Sequence, residues 1–345
     1  MQNQLIHSPA NCAANGQATG LIFAVHKERY EVLTETGTIS AKLKPGIYHY
    51  ESVEEFPVAG DFVWVTKVED GEAQIVKTLP RTNEFSRRDP GEGKQTLAAN
   101  FDYAFILTSA NHDFNVKRIE RFLALIRKCD ATPIVLLTKS DLVTNSNLFV
   151  ATLKYAVGDA EVIPISIIDG TGLSELAPYL TEGKTSLLIG SSGVGKSSLI
   201  NYLMGQDVMA VSEIRDDDSK GRHTTTHRQL FVLPTGGLVI DMPGVRSVGL
   251  WDAEDGVSET FTEIEELLGT CRFSDCHHKA EPGCAIQTAI SDGALPKERW
   301  DSYRALMAEA AYAIDKTAAQ KERTTISKTN AKAKRKIKQA GGFRR

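Results

Sequence analysis

Gly190-Ser191-Ser192-Gly193-Val194-Gly195-Lys196-Ser197 has the form G-x-x-x-x-G-K-[ST], the phosphate-binding P-loop. Its flanks are the ones the motif requires. Ser186-Leu187-Leu188-Ile189 is a short apolar run that reads as a buried strand, and Ser198-Leu199-Ile200-Asn201-Tyr202-Leu203-Met204 reads as a helix. A strand, a glycine-rich turn and a helix start aim several backbone N–H groups and the positive end of a helix dipole at one phosphate chain. Gly190, Gly193 and Gly195 leave room for the backbone to approach the anion, Lys196 reaches the β- and γ-phosphates, and Ser197 offers its hydroxyl to Mg²⁺. The predicted nucleotide-binding set here is Gly190, Ser191, Ser192, Gly193, Val194, Gly195, Lys196, Ser197 and Ser198.

Two further loops narrow the reading to a GTPase. Asp241-Met242-Pro243-Gly244 follows a strand and has the form D-x-x-G. Asp241 would hold Mg²⁺ through water, and the Gly244 N–H would sense the γ-phosphate. Thr138-Lys139-Ser140-Asp141 also follows a strand and has the form [NT]-K-x-D. The Asp141 carboxylate accepts from guanine N1–H and the 2-amino group, donors that adenine does not present there, so ATP would leave the charge unpaired. Ser166, at the end of a third strand, fits an accessory base loop. Each motif alone is weak; together, each at the C-terminal end of a strand, they are specific. Gly221-Arg222-His223-Thr224-Thr225-Thr226 falls where switch I belongs, and Thr225 or Thr226 should complete the Mg²⁺ shell. Val245 follows Gly244 where Ras-type enzymes carry a water-positioning Gln, so intrinsic hydrolysis should be slow. His223 is the candidate catalytic side chain, with a packing or partner contact as its alternative role.

The order of the motifs is permuted. Ras-type chains run from P-loop to base-reading loops, whereas here the base-reading loops at 138–141 and 166 come first. Joining the usual termini is plausible because they lie at the surface, and Leu180-Thr181-Glu182-Gly183-Lys184-Thr185 reads as the joining link. The chain then leaves the nucleotide domain directly after switch II.

The remaining sequence divides on pattern. Residues 1–18 read as a disordered N-terminus. Residues 19–85 carry five short strand patterns and no long helix, which suggests a small barrel with the OB-fold foremost. Lys27, Arg29, Tyr30, Lys44, Tyr48 and Tyr50 are candidates for RNA contact there, the aromatics being equally suited to the core. Residues 86–99 read as an aperiodic linker, 100–255 as the α/β circularly permuted GTPase domain, 256–315 as a mostly helical zinc-binding domain, and 316–345 as a basic tail.

Five cysteines are unevenly spread. Cys12 and Cys129 stand alone, while Cys271-x4-Cys276-x-His278-x5-Cys284 supplies three thiols and an imidazole, a donor set for one structural, tetrahedral zinc. His277 is the alternative to His278. An odd count without a secretory signal points to a reducing, cytoplasmic compartment. No run of 18 apolar residues occurs, so no membrane span is expected. From Lys316 to Arg345 the chain has eleven Lys/Arg and one acid, Glu322, so the tail carries +10 and the rest −14 within a net charge of −4. A basic tail on an acidic body is a nucleic-acid footprint, or else a solvated tail.

The barrel-like N-terminus, the permuted order, the segments 221–226 and 241–244 and the Cys3His cluster together resemble the RsgA (YjeQ) family over residues 20–290. The resemblance implies a monomeric GTPase that binds the immature 30S ribosomal subunit in its GTP form. It implies contact with 16S rRNA near the decoding region and ribosome-stimulated hydrolysis of GTP to GDP and phosphate during late subunit assembly. Thr138 departs mildly from the Asn usual in base-reading loops; Asp141 keeps the guanine preference. Two other functions remain open on the residues: a GTP-switched RNA chaperone with negligible turnover, and a P-loop small-molecule kinase, for which acid/base residues are not evident.

Overall fold

A computed structural model describes residues 17–26, 29–46, 56–66, 72–89, 93–111, 113–209, 228–242, 250 and 253–312. The chain forms two compact units, the first holding residues 1–249 and 255–266, the second 250–254 and 267–345.

The first unit begins with five strands: β1 (Gln17–Val25), β2 (Tyr30–Thr34), β3 (Gly37–Leu43), β4 (Phe62–Thr66) and β5 (Ala73–Thr78). Neighbours run β1-β2-β3-β5-β4, and β4 returns to β1, so the sheet closes on itself. Only β3 and β5 pair in parallel. This is the five-stranded OB-type barrel expected from the turn spacing. Alternating residues Ile22, Val32, Val63, Val65 and Ile75 fill its interior. Tyr30 belongs to that core rather than to a stacking surface.

The sequence predicts an irregular linker over residues 86–99. Instead, β6 (Glu84–Asp89) and β7 (Gly93–Ala99) form an antiparallel hairpin. Its polar residues hide the strand pattern because Glu84 and Lys94 serve a partly buried ion network. Arg81 donates to both carboxylate oxygens of the fully buried Asp61 at 2.8 Å, and to Glu84 at 2.8 Å. Glu84 is also paired with Lys94 and accepts from Thr96. Barrel and hairpin are further tied at Gly60, whose φ of 92° and whose approach to the Ala99 carbonyl leave no space for a Cβ.

From Asn100 strands and helices alternate: β8 (Tyr103–Ser109), α1 (Val116–Arg127), β9 (Thr132–Thr138), α2 (Ser146–Val157), β10 (Glu161–Pro164), β11 (Thr185–Gly190), α3 (Lys196–Met204), β12 (Gln229–Val232) and β13 (Leu238–Asp241). The sheet order is β10-β9-β8-β11-β13-β12, parallel except for β12. Apolar runs such as Ile134–Leu137 and Leu187–Ile189 are buried throughout, as strands covered on both faces must be. The central strand β11 ends in the P-loop. The loops after β8, β9 and β10 lie to one side and β13 to the other, so all the predicted loops open at one sheet edge, where α/β ligand sites form. Ala24 of β1 also pairs with Gln229 of β12, which makes barrel and nucleotide sheet one continuous eleven-stranded array.

Two short helices, α4 (Glu254–Thr260) and α5 (Thr262–Glu265), follow the nucleotide domain. Residues 255–266 cluster with the first unit, and Gly256 sits so close to the Ala124 carbonyl of α1 that no Cβ fits. In the second unit, α6 (Ala285–Ser291) and a helix over residues 297–312 carry the buried apolar side chains Ile286, Trp300, Tyr303 and Leu306, with Leu295 buried in the turn between them.

Candidate nucleotide site and metal cluster

The P-loop has the backbone its glycines permit. Gly193 and Gly195 take φ of 76° and 109°, and a Cβ on Gly190 would come within 2.9 Å of both the Leu107 carbonyl and Val194 Cγ1. Gly195 caps the N-terminus of α3, leaving the first N–H groups of that helix available to an anion. Lys196 is buried and donates to the carbonyls of Gly190 and Ser191, each at 2.9 Å. Burial pushes its pKa down, and the charges of Asp241 and Asp113 oppose that shift.

Asp241 ends β13 beside β11 and is almost fully buried. Its Oδ1 has no hydrogen-bond partner among the described residues, and burial pushes its pKa up to about 6, against the pull of Lys196. A buried acceptor of this kind next to the P-loop fits a hydrated cation such as Mg²⁺, with the Ser197 hydroxyl at the head of α3 as the other described donor.

The candidate base-reading loop, 138–141, is held by the P-loop itself. Thr138 donates its hydroxyl to the Val194 carbonyl at 2.6 Å, and Lys139, in a left-handed conformation with φ of 58°, donates Nζ to the Gly193 carbonyl at 3.0 Å. Ser140 is buried, its N–H bonded to the Ile165 carbonyl, and Asp141 lies exposed in a single 3-10 turn. That arrangement leaves the Asp141 carboxylate free to face a base. Ser166 is buried after β10 and accepts at Oγ from the N–H of Ile168 at 3.2 Å, which turns the chain within the accessory loop.

So the structure brings Thr138, Lys139, Ser140, Asp141, Ser166, the segment Gly190–Ser198 and Asp241 to one edge of one sheet. His223, Thr225, Thr226, Gly244 and Val245 lie outside the described residues, as do Lys27, Tyr48 and Tyr50. Sequence reasoning missed Asp113, which accepts from the Ser191 hydroxyl; the lone Asp in a loop gave no signal. Of the remaining barrel candidates, Arg29 pairs with Glu72 and Lys44 is exposed.

In the second unit the ligand atoms of Cys271, Cys276, His278 and Cys284 all lie within 4.8 Å of one another. His278 adopts φ of 57° and turns Nδ1 to within 3.5 Å of Cys271 Sγ and 3.6 Å of Cys284 Sγ. Gln287 donates to the His278 carbonyl at 2.8 Å, and the Trp300 ring meets the imidazole edge-on. His277 is exposed, with its N–H on Glu281. Three thiols and an imidazole converging on one point are the donor set of a closed tetrahedral zinc site.

A P-loop, a D-x-x-G aspartate and a guanine-reading loop on a sheet whose strands occur in rotated order define a circularly permuted GTPase. The sequence profile of the RsgA GTPase family matches residues 78–251, and this chain belongs to that family. It is 43% identical to "Small ribosomal subunit biogenesis GTPase RsgA 1" of Listeria innocua over 85% of this chain and 84% of that protein. It is 42% identical to "Small ribosomal subunit biogenesis GTPase RsgA" of Methanosarcina acetivorans, over 85% of this chain and 79% of that protein. Among solved structures, the chain is similar to YjeQ from Thermotoga maritima, with a TM-score of 0.62 and 27% identity over 85% of this chain and 98% of that one. It is also similar to YloQ, described as a circularly permuted GTPase, with a TM-score of 0.59, 28% identity and coverage of 89% and 98%.

Proposed function

We propose that this protein hydrolyses GTP in the assembly of the small ribosomal subunit in the cytoplasm, with the 30S particle as the partner that accelerates turnover. The observation that carries the reading is the joining of Thr138 and Lys139 to the P-loop carbonyls of Val194 and Gly193, which makes a guanine reader and a phosphate cradle one unit. The names of the relatives supply the process.

On this reading the P-loop N–H groups and Lys196 bind and orient the phosphates, Asp141 accepts from the guanine edge, and Ser166 shapes the pocket behind it. Ser197, Asp241 through water and Thr225 or Thr226 would hold Mg²⁺, which when bound would supply positive charge to offset that of the phosphates. Water attacks the γ-phosphorus in line, the β–γ bridge bond breaks, and GDP keeps its electron pair. An apolar Val245 cannot orient that water. His223, or a group of the 30S partner, does so.

Cys271, Cys276, His278 and Cys284 would hold one zinc ion, which when bound would cross-link the segments of the second unit that carry them. The basic tail and Arg29 and Lys44 of the barrel contact 16S rRNA, and the protein acts as a monomer. The test is GTP hydrolysis by the purified chain alone and with 30S subunits, 50S subunits or naked rRNA. Stimulation by 30S subunits alone supports this reading. Equal turnover under all four conditions contradicts it.

A further inference from the structure

Because β8 and β11 are parallel neighbours with Leu107 aligned on Gly190, the loop that follows β8 rises beside the P-loop. That loop is folded by its own side chains. Asn111 Oδ1 accepts from the Ser109 hydroxyl at 2.7 Å and from the Asp113 N–H at 3.0 Å, which turns Asp113 back toward β11. The Asp113 carboxylate accepts the hydroxyl of Ser191, the second residue of the P-loop. Its Oδ2 lies 3.0 Å from Nη2 of Arg118, and Arg118 also donates to the backbone carbonyl of Asp113. The backbone of Arg118 is anchored at the start of α1, where its N–H donates to the Asn115 side chain.

A carboxylate one hydrogen bond from a polyphosphate cradle repels the ligand unless its charge is offset. Arg118 supplies that offset. Ser191 is buried, so its hydroxyl needs an acceptor, and the Asp113 carboxylate supplies one. The field of Asp113 also reaches Lys196, where it favours the charged ammonium that phosphates require.

We propose that Asp113 is a positioning residue of the phosphate site: it holds the Ser191 hydroxyl and so fixes the first turn of the P-loop, while Arg118 cancels its charge toward the entering phosphates. This inference rests on the P-loop being the GTP site.

Calorimetric titration of the full-length chain with GDP and with the non-hydrolysable analogue GMPPNP tests it. Arg118→Met leaves the Asp113 charge exposed. We expect it to weaken GMPPNP about tenfold and GDP less, with the deficit shrinking at high salt. Adding Asp113→Asn, which removes the charge but keeps an acceptor for Ser191, returns affinity to within about twofold of the parent. A purely structural Arg118 predicts no such rescue, and persistence of the deficit in the double variant overturns the proposal. The tether is read separately: Ser191→Ala and Asp113→Ala should each weaken GMPPNP, and their combination should be no worse than either. Additive losses overturn it even where Arg118→Met does not fold. Failure of the parent chain to bind GMPPNP refutes the P-loop reading and this inference with it; binding without rescue refutes the inference alone.

Discussion

The hydroxyl of Thr138, in the loop that follows β9, donates to the carbonyl of Val194, in the P-loop, at 2.6 Å across 56 residues of sequence. A Thr side chain therefore braces the phosphate loop where other GTPases carry Asn. Thr138→Val keeps the shape and removes the donor, leaving a buried carbonyl short of a partner. The expected cost is about 1 kcal/mol in stability and a five- to tenfold loss of GDP affinity. Thermal unfolding and GDP titration of this variant check it, with Thr138→Ser expected to retain most of both.

The ion network at Arg81 predicts a pH-dependent defect. Burial already raises the Asp61 pKa from its ordinary 3.8, and Arg81 opposes that shift. Arg81→Met removes the opposition, so the folded state favours the protonated acid more strongly. Such a group contributes its full stability below about pH 4 and loses it as pH rises through the folded-state pKa. Glu84, held below its usual range in part by Arg81, changes in the same direction. The variant should lose about 3–5 kcal/mol at neutral pH, less near pH 4.5, and recover much of it when Asp61→Asn is added. Urea titrations at both pH values measure this.

Little of that network was legible in the sequence, and the reason is physical. The P-loop, the D-x-x-G aspartate, Thr138–Asp141 and the Cys3His cluster show because each chemistry fixes residue types at short spacing. The barrel strands show because alternate side chains are buried. Arg81, Asp61, Glu84 and Lys94 pair over separations of up to 20 residues, and a polar hairpin built on such pairs looks like a linker. Asp113 and Ser191 are 78 residues apart and meet only because β8 and β11 are neighbours.

Zinc removal should be local. The proposed zinc ligands Cys271, Cys276, His278 and Cys284 lie in the second unit, whereas the proposed nucleotide site lies in the first. Structural zinc in small modules contributes on the order of 10 kcal/mol to folding. A chelator, or Cys271→Ser, should abolish the metal and reduce the helical signal from residues 285–312, with GDP affinity held within about twofold. Metal analysis, circular dichroism and GDP titration of the same sample decide it.

Cys129 offers a contrast among the thiols. Burial pushes its pKa up to about 12, and its Sγ donates to the carbonyls of Glu84 and Leu125. The thiolate is the reactive form, so at pH 8 the native protein should leave Cys129 unalkylated by iodoacetamide over hours, and denaturant should expose it. Peptide mapping by mass spectrometry reads this out.

The most direct measurement concerns Asp141. Replacing it with Asn keeps one acceptor and adds a donor, which suits the 2-carbonyl of xanthine and not the 2-amino group of guanine. In a hydrolysis assay with 30S subunits, Asp141→Asn should lose GTP turnover and gain XTP turnover, still dependent on the 30S particle. Continued GTP turnover at the parent rate would show that loop 138–141 does not read the base, and would contradict the account.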